Sequence, residues 1–140
     1  MWMNQQREIF MQISRTGIIV NVEKYAECFD FYRHVLGLPI LFQKSELNFE
    51  LCCFEFLDSY LMLESGGVAD VQGKSVKKSP VKIRFNVDDI NQASKHLQQK
   101  GIKNVIEWYD WGSNINIFDP DGNRIGIRDD YKFKQEIMNA

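Results

Sequence analysis

At 140 residues the chain is the size of one domain, on the usual scale of ~100–200 residues per domain. Its 44% apolar and 13% aromatic content can fill a core and excludes a disordered chain. A net charge of −2, from 17 basic and 19 acidic residues, sets up no field toward nucleic acid or an anionic membrane. No apolar run nears the ~18 residues that a bilayer span needs, and MWMNQQREIFMQ at the start carries an acid and no sustained apolar centre, so it does not read as a secretory signal. Three cysteines, Cys28, Cys52 and Cys53, are an odd count, and the adjacent pair would point to opposite faces of a strand. Reduced thiols in a soluble, cytoplasmic protein are the expectation.

Taken in order, residues 1–14 read as an N-terminal extension in which Trp2, Ile9, Phe10 and Ile13 form a short helix. TGIIVNV (Thr16–Val22) predicts a buried strand. Over Tyr25–Leu36 the residues Cys28, Phe29, Tyr32, Val35 and Leu36 share one helical face, with Gly37 as the stop. Pro39–Gln43 is a short strand, Phe49–Leu57 a longer one and, across an Asp58-Ser59 turn, Tyr60–Glu64 its partner. Ser65–Ser79, rich in Gly, Lys and Ser, reads as a linker or mobile loop. VKIRFNV (Val81–Val87) is again a strand, and Asp88-Asp89 caps a helix over Ile90–Lys100 whose inner stripe is Ile90, Ala93 and Leu97; Gly101 ends it. Val105–Trp108, Ser113–Phe118 and Arg124–Arg128 follow as strands. The last two are joined by Asp119-Pro120-Asp121-Gly122-Asn123, five turn formers in a row, which predicts a hairpin. Residues 131–140 are left as a helical tail.

The pattern is internally repeated. Sliding the chain by 65 positions lays Val20-Asn21-Val22-Glu23 on Phe85-Asn86-Val87-Asp88, and sliding by 64 lays Leu61–Leu63 on Ile125–Ile127. The expectation is an α+β domain over 15–130, built from two βαβββ modules of about 15–65 and 80–130. Together they would form a cup-shaped mixed sheet with helices on its convex face.

In IIVNVEKYAECFDFYRHVLGLPI, VKIRFNVDDINQASKHLQQKGI and FDPDGNRIGI the chain resembles the vicinal oxygen chelate superfamily of glyoxalases, bleomycin-resistance proteins and extradiol dioxygenases. The resemblance covers about Arg15–Asp130. It implies paired βαβββ modules, a frequent homodimer and, in members with catalytic activity, a divalent metal held by four side chains from the first and last strands of each module, usually His, Glu or Gln. Carried over, those positions fall on Gly17, Lys82, Met62 (or Glu64, one step later) and Gly126. Glycine offers no donor, ammonium is a poor ligand, and a thioether suits copper better than Mg, Mn, Zn or Ni. No metal and no other cofactor is therefore expected, since a catalytic ion wants about three protein ligands.

Strand alternation then suggests what faces the cup. Asn21, Met62, Glu64, Lys82, Arg84 and Arg124 are candidate ligand-pocket residues, together with Trp108 or Trp111 from the aromatic cluster Trp108-Tyr109-Trp111. Phe54 and Phe56 either add aromatic lining or serve as core or dimer contacts. Lys-Arg-Asn along one face of a central strand needs partners: either acids such as Glu64 or Glu55, or an anionic ligand. His34 and His96 lie off their helices' apolar stripes and read as surface residues. The cysteines lack a neighbouring base and read as structural. The resulting expectation is a metal-free protein that sequesters or senses a small organic ligand, aromatic or anionic, with no nucleic acid or membrane partner. Two alternatives remain open: a metal-dependent lyase, isomerase or dioxygenase with relocated ligands, and a metal-independent acid-base enzyme using Lys82 and Glu64.

Overall fold

The computed structural model describes residues 11–140 and arranges them as strand, helix and three strands, twice, followed by a helix. The expected helix over Trp2, Ile9 and Phe10 falls outside the described residues, and Ile13 is exposed. Contacts divide the chain into two compact units. One contains Arg15–Lys82 with Phe118–Arg124, and the other contains Ile83–Ile117 with Ile125–Ala140.

In the first unit β1 (Thr16–Val22) runs parallel to β4 (Ser59–Ser65). β3 (Phe49–Phe56) pairs antiparallel with β4 on one side and with β2 (Ile40–Glu46) on the other, for an order β1-β4-β3-β2. The two-residue period sorts the side chains by face. Cys52, Phe54, Leu61 and Leu63 are fully buried on one face, while Gly17, Ile19, Asn21, Tyr60, Met62 and Glu64 share the other. Phe54 is thus a core residue, its ring 5.8 Å from Phe29 and 6.3 Å from Tyr32, rather than a lining for ligand.

The first helix departs from the regular 3.6-residue reading. α1 (Tyr25–Asp30) runs straight into a π-helical stretch, Phe31–Val35, marked by the Leu36 amide donating five residues back to the Phe31 carbonyl at 2.9 Å. The wider turn buries the adjacent residues Phe31 and Tyr32 together with Cys28 and Val35, and leaves Leu36 half-buried. Gly37 then reverses the chain at φ +78, a conformation L side chains rarely adopt.

The aspartates of the DPDGN turn are anchored in this unit. Asp121, fully buried, accepts from the Glu23 and Lys24 amides at 2.9 and 2.8 Å, at the entry to α1. Asp119 accepts from the Tyr32 hydroxyl at 2.6 Å and from the Asp121 and Asn123 amides at 2.9 Å each. The loop expected to be a mobile linker is pinned to the same turn. The Asp70 and Lys74 amides donate to the Asp121 and Gly122 carbonyls at 3.0 and 2.8 Å, and Lys74 Nζ donates to Asn123 Oδ1 at 2.8 Å. Each buried carboxylate thus has its hydrogen bonds satisfied, and this accounts for the motif as structure.

The second unit repeats the plan with β5 (Ile83–Val87), α2 (Ile90–Gln99), β6 (Ile106–Tyr109), β7 (Gly112–Phe118) and β8 (Arg124–Asp129), in the order β5-β8-β7-β6. Asp89 caps α2 by accepting from the Gln92 amide at 3.0 Å. The inner stripe of α2 is Ile90, Ser94 and Leu97, correcting the expected Ala93: the Ser94 hydroxyl donates to Asn104 Oδ1 at 2.6 Å, which satisfies a polar group at a core position. β5 starts at Ile83, so Lys82 lies just before the ladder rather than in it. A third helix, α3 (Asp130–Met138), follows β8 directly, capped by Asp129 accepting from the Lys132 amide at 3.0 Å.

Candidate functional site

In the second unit the sheet is divided by alternation into an apolar and a polar face. Ile83, Ile115, Ile117, Ile125 and Ile127 are buried on one face. Arg84, Asn86, Asn114, Gly126 and Arg128 occupy the other, with Arg84 beside Gly126 and Asn86 beside Arg128 in the β5–β8 ladder. Gly126, itself buried, adds no side chain to the polar face next to Arg84.

Trp111, in the turn between β6 and β7, belongs to this polar face. Its indole stacks on Tyr109, with centroids 4.9 Å apart and planes 9° from parallel. The guanidinium carbons of Arg128 and Arg84 lie 4.7 and 5.5 Å from its ring centroid. Arg128 also lies 5.0 Å from the Phe133 ring, and donates from one terminal nitrogen to the Trp111 carbonyl and to the Glu136 carboxylate. A guanidinium that is 4% exposed therefore sits between two aromatic rings with an acid in reach. The acid that pairs with Arg128 is Glu136, from α3.

The tryptophans separate clearly. Trp108 pairs with Ser113 in the β6–β7 ladder, two positions along from the pair of Ile106 with the buried Ile115, and is 68% exposed. Trp111, not Trp108, joins Arg84 and Arg128. The Arg124 guanidinium donates to the Ser79 and Pro80 carbonyls at 3.2 and 3.3 Å. Among the described residues three buried side-chain atoms have no hydrogen-bond partner: Asn114 Oδ1, Arg124 Nε and Arg128 Nε.

On the first sheet Gly17 faces Tyr60 in the ladder, and a Cβ built on Gly17 would run into the Tyr60 ring. The space that a side chain at position 17 would need is filled by a phenol. Ile19 beside it is exposed, Asn21 donates to the Ser65 carbonyl at 3.3 Å, and Met62 and Glu64 are half-buried. These positions do not fit the divalent ion that the resemblance implies. Gly17 and Gly126 bring no donor, the Tyr60 ring lies across the first of them, and among the described residues no three His, Cys, Asp or Glu side chains come together. His34 is exposed and makes an edge contact with Phe29; His96 is exposed on α2.

A cleft of about 650 Å³ in the first unit is lined by Glu23, Lys24, Asp70, Lys74 and Lys78. Four of these charges are engaged locally, with Lys78 bridging to Asp70 at 3.1 Å, Lys74 bonded to Asn123, and Glu23 accepting from the Ala69 amide. The thiols are also secluded: Cys28 and Cys52 are fully buried, Cys53 is 2% exposed, and burial raises all three, with Cys52 pushed up to about 11. At pH 8 the folded protein is accordingly expected to leave a colourimetric disulfide reagent unreacted and to titrate three thiols once unfolded. Rapid reaction of a native thiol would contradict that burial.

Residues 12–127 match the Glyoxalase/Bleomycin resistance protein/Dioxygenase superfamily, and the chain belongs to it. Over 126 residues it is 27% identical to the Bacillus subtilis protein YraH, covering 84% of this chain and 97% of that one. Solved structures share the fold at lower identity. TnmS3, an antibiotic-binding protein from Streptomyces, superposes with a TM-score of 0.65 at 18% identity over 87% of this chain and 98% of its own. The fosfomycin resistance protein FosX from Listeria monocytogenes, in complex with Mn(II), gives 0.69 at 12% identity over 92% and 99%. Among the described residues no helix is long and apolar enough to cross a membrane.

Proposed function

We propose that this superfamily member binds a small organic molecule without a metal ion, sequestering or sensing it rather than transforming it. The observation that carries the reading is the assembly on the polar face of the second sheet: an indole flanked by Arg84 and Arg128. Rings and guanidinium groups give contact area and orientation for a planar or anionic guest. The mismatch between the donor set and a divalent ion supports the metal-free half of the reading. A fold shared with an antibiotic-binding protein is in keeping with it. In this reading the protein is a cytoplasmic homodimer, residues 1–14 and 131–140 flank the binding domain, and Asn21, Met62 and Glu64 are available to a ligand on the polar face of the first sheet.

The test is a screen of aromatic and anionic compounds by intrinsic fluorescence and thermal shift. Hits are expected to lose about tenfold or more in affinity in Trp111→Ala, the loss typical of an aromatic anchor. Chelator treatment is expected to leave their affinity unchanged. Stoichiometric metal retained through mild purification, with affinity or turnover that vanishes on its removal, would favour the lyase, isomerase or dioxygenase alternative.

A further inference from the structure

We infer that the ligand is an aromatic carboxylate, and that α3 holds its place on Arg128, with Phe133 standing for the ring and Glu136 for the carboxylate. This rests on the binding reading above and specifies its site. Phe133 and Glu136 are one turn apart on α3, so they present from the same side of the helix. The ring lies 5.0 Å from the Arg128 guanidinium, and the carboxylate pairs with the same group. A ring and a carboxylate held together against one guanidinium are the two halves of a benzoate-like molecule.

Two features mark the helix as an exchangeable occupant. α3 buries no residue of its own, Phe133 is 38% exposed, and the Glu136 side chain is 52% exposed while its Arg128 partner is 5% exposed. At nine residues such a helix is marginal without tertiary support. Glu136 also uses the guanidinium incompletely. It shares one terminal nitrogen with the Trp111 carbonyl and leaves Arg128 Nε buried without an acceptor. A free carboxylate is not tethered to a helix and can take Nε and the terminal nitrogen together, the two-pronged geometry that makes arginine–carboxylate pairs strong. The polar face holds a second orphan, Asn114 Oδ1, for a donor on the same ligand. Arg84, exposed and 5.5 Å from the Trp111 centroid, adds a second positive charge for an incoming anion.

In operation the ligand carboxylate replaces the Glu136 carboxylate on Arg128, its ring replaces Phe133, and α3 comes away from the sheet beyond Asp129. The C-terminal helix is thus an internal competitor that sets the affinity.

The experiment is calorimetry on the full chain with two probes, 2-naphthoate and the uncharged 2-naphthylmethanol, in wild type, Glu136→Gln and Phe133→Ala. Removing the competing carboxylate is expected to tighten 2-naphthoate by about fivefold or more, within the ~5–150-fold range usual for coupled sites, and to leave 2-naphthylmethanol unchanged. Hydrogen exchange of the amides of 132–138 is expected to speed up when 2-naphthoate binds. If 2-naphthylmethanol binds as well as 2-naphthoate, and Glu136→Gln changes neither while 132–138 stay protected, the helix is not a competitor; binding stands and this inference falls. If neither probe nor any compound of the wider screen binds any variant, the binding reading itself falls.

Discussion

Replacing Asp121 with alanine is expected to cost the fold about 2–5 kcal/mol, at about 1–3 kcal/mol for each of the two amides that lose their acceptor. The Asp121 carboxylate is fully buried and receives the backbone amides of Glu23 and Lys24, the two residues that lead into α1. Its backbone carbonyl meanwhile takes the Asp70 amide at 3.0 Å and so holds the 66–80 loop. Alanine removes both side-chain acceptors at once and leaves the two amides facing a buried space. Asparagine keeps one acceptor and should fall between alanine and wild type. Urea unfolding at neutral pH measures the series, with the exposed Asp58→Ala as a control expected within about 0.5 kcal/mol of wild type. An Asp121→Ala protein as stable as the control would show that the turn does not hold α1.

Arg128→Gln is expected to cost about 2–3 kcal/mol and to free α3. The upper range for breaking a buried ion pair is reduced here because Glu136 is half in solvent. The glutamine also forfeits the guanidinium layer between Trp111 and Phe133. Hydrogen exchange should show the amides of 132–138 losing protection while those of β5 keep it; equal protection in both proteins would sink the assignment. Acid should act on the same element. Burial works to raise the Asp129 carboxyl, but the Lys132 amide, the Ser113 amide and hydroxyl, and the charge of Arg128 together hold it below its ordinary value of 3.8. A lowered carboxyl stabilises the fold above that ordinary value and stops doing so as the pH falls through its lower folded value. The attachment of α3 and of the Gly112 turn is therefore expected to loosen at the acid end, below about pH 4.

Much of the architecture is legible along the chain because its signals are local. Alternation in VKIRFNV and RIGIRD places isoleucines inside and Arg84 and Arg128 on the other face, and the ladder pairs Arg84 with Gly126 as that parity requires. Asp89 reads as a cap and acts as one. Sequence leaves Phe54 open between pocket lining and core, and the packing of Phe29 and Tyr32 assigns it to the core. The π-helical stretch escaped because a 3.6-residue template cannot place Phe31 and Tyr32 on the same side. The adjacent aromatic pair was the available clue.

The amino-acid order by itself determined most of the strands and helices, the repeated module and the loss of donor atoms at Gly17 and Gly126, because each depends on periodicity or on the chemistry of one residue. Tertiary structure alone decided which partners close the charges. Asp121 finds amides 97 and 98 positions away, and Arg128 finds Glu136 only because α3 turns back over its own strand. A buried charge must be matched by whatever the fold brings within hydrogen-bond reach, and that reach is measured in space, along a path the chain's own order does not display.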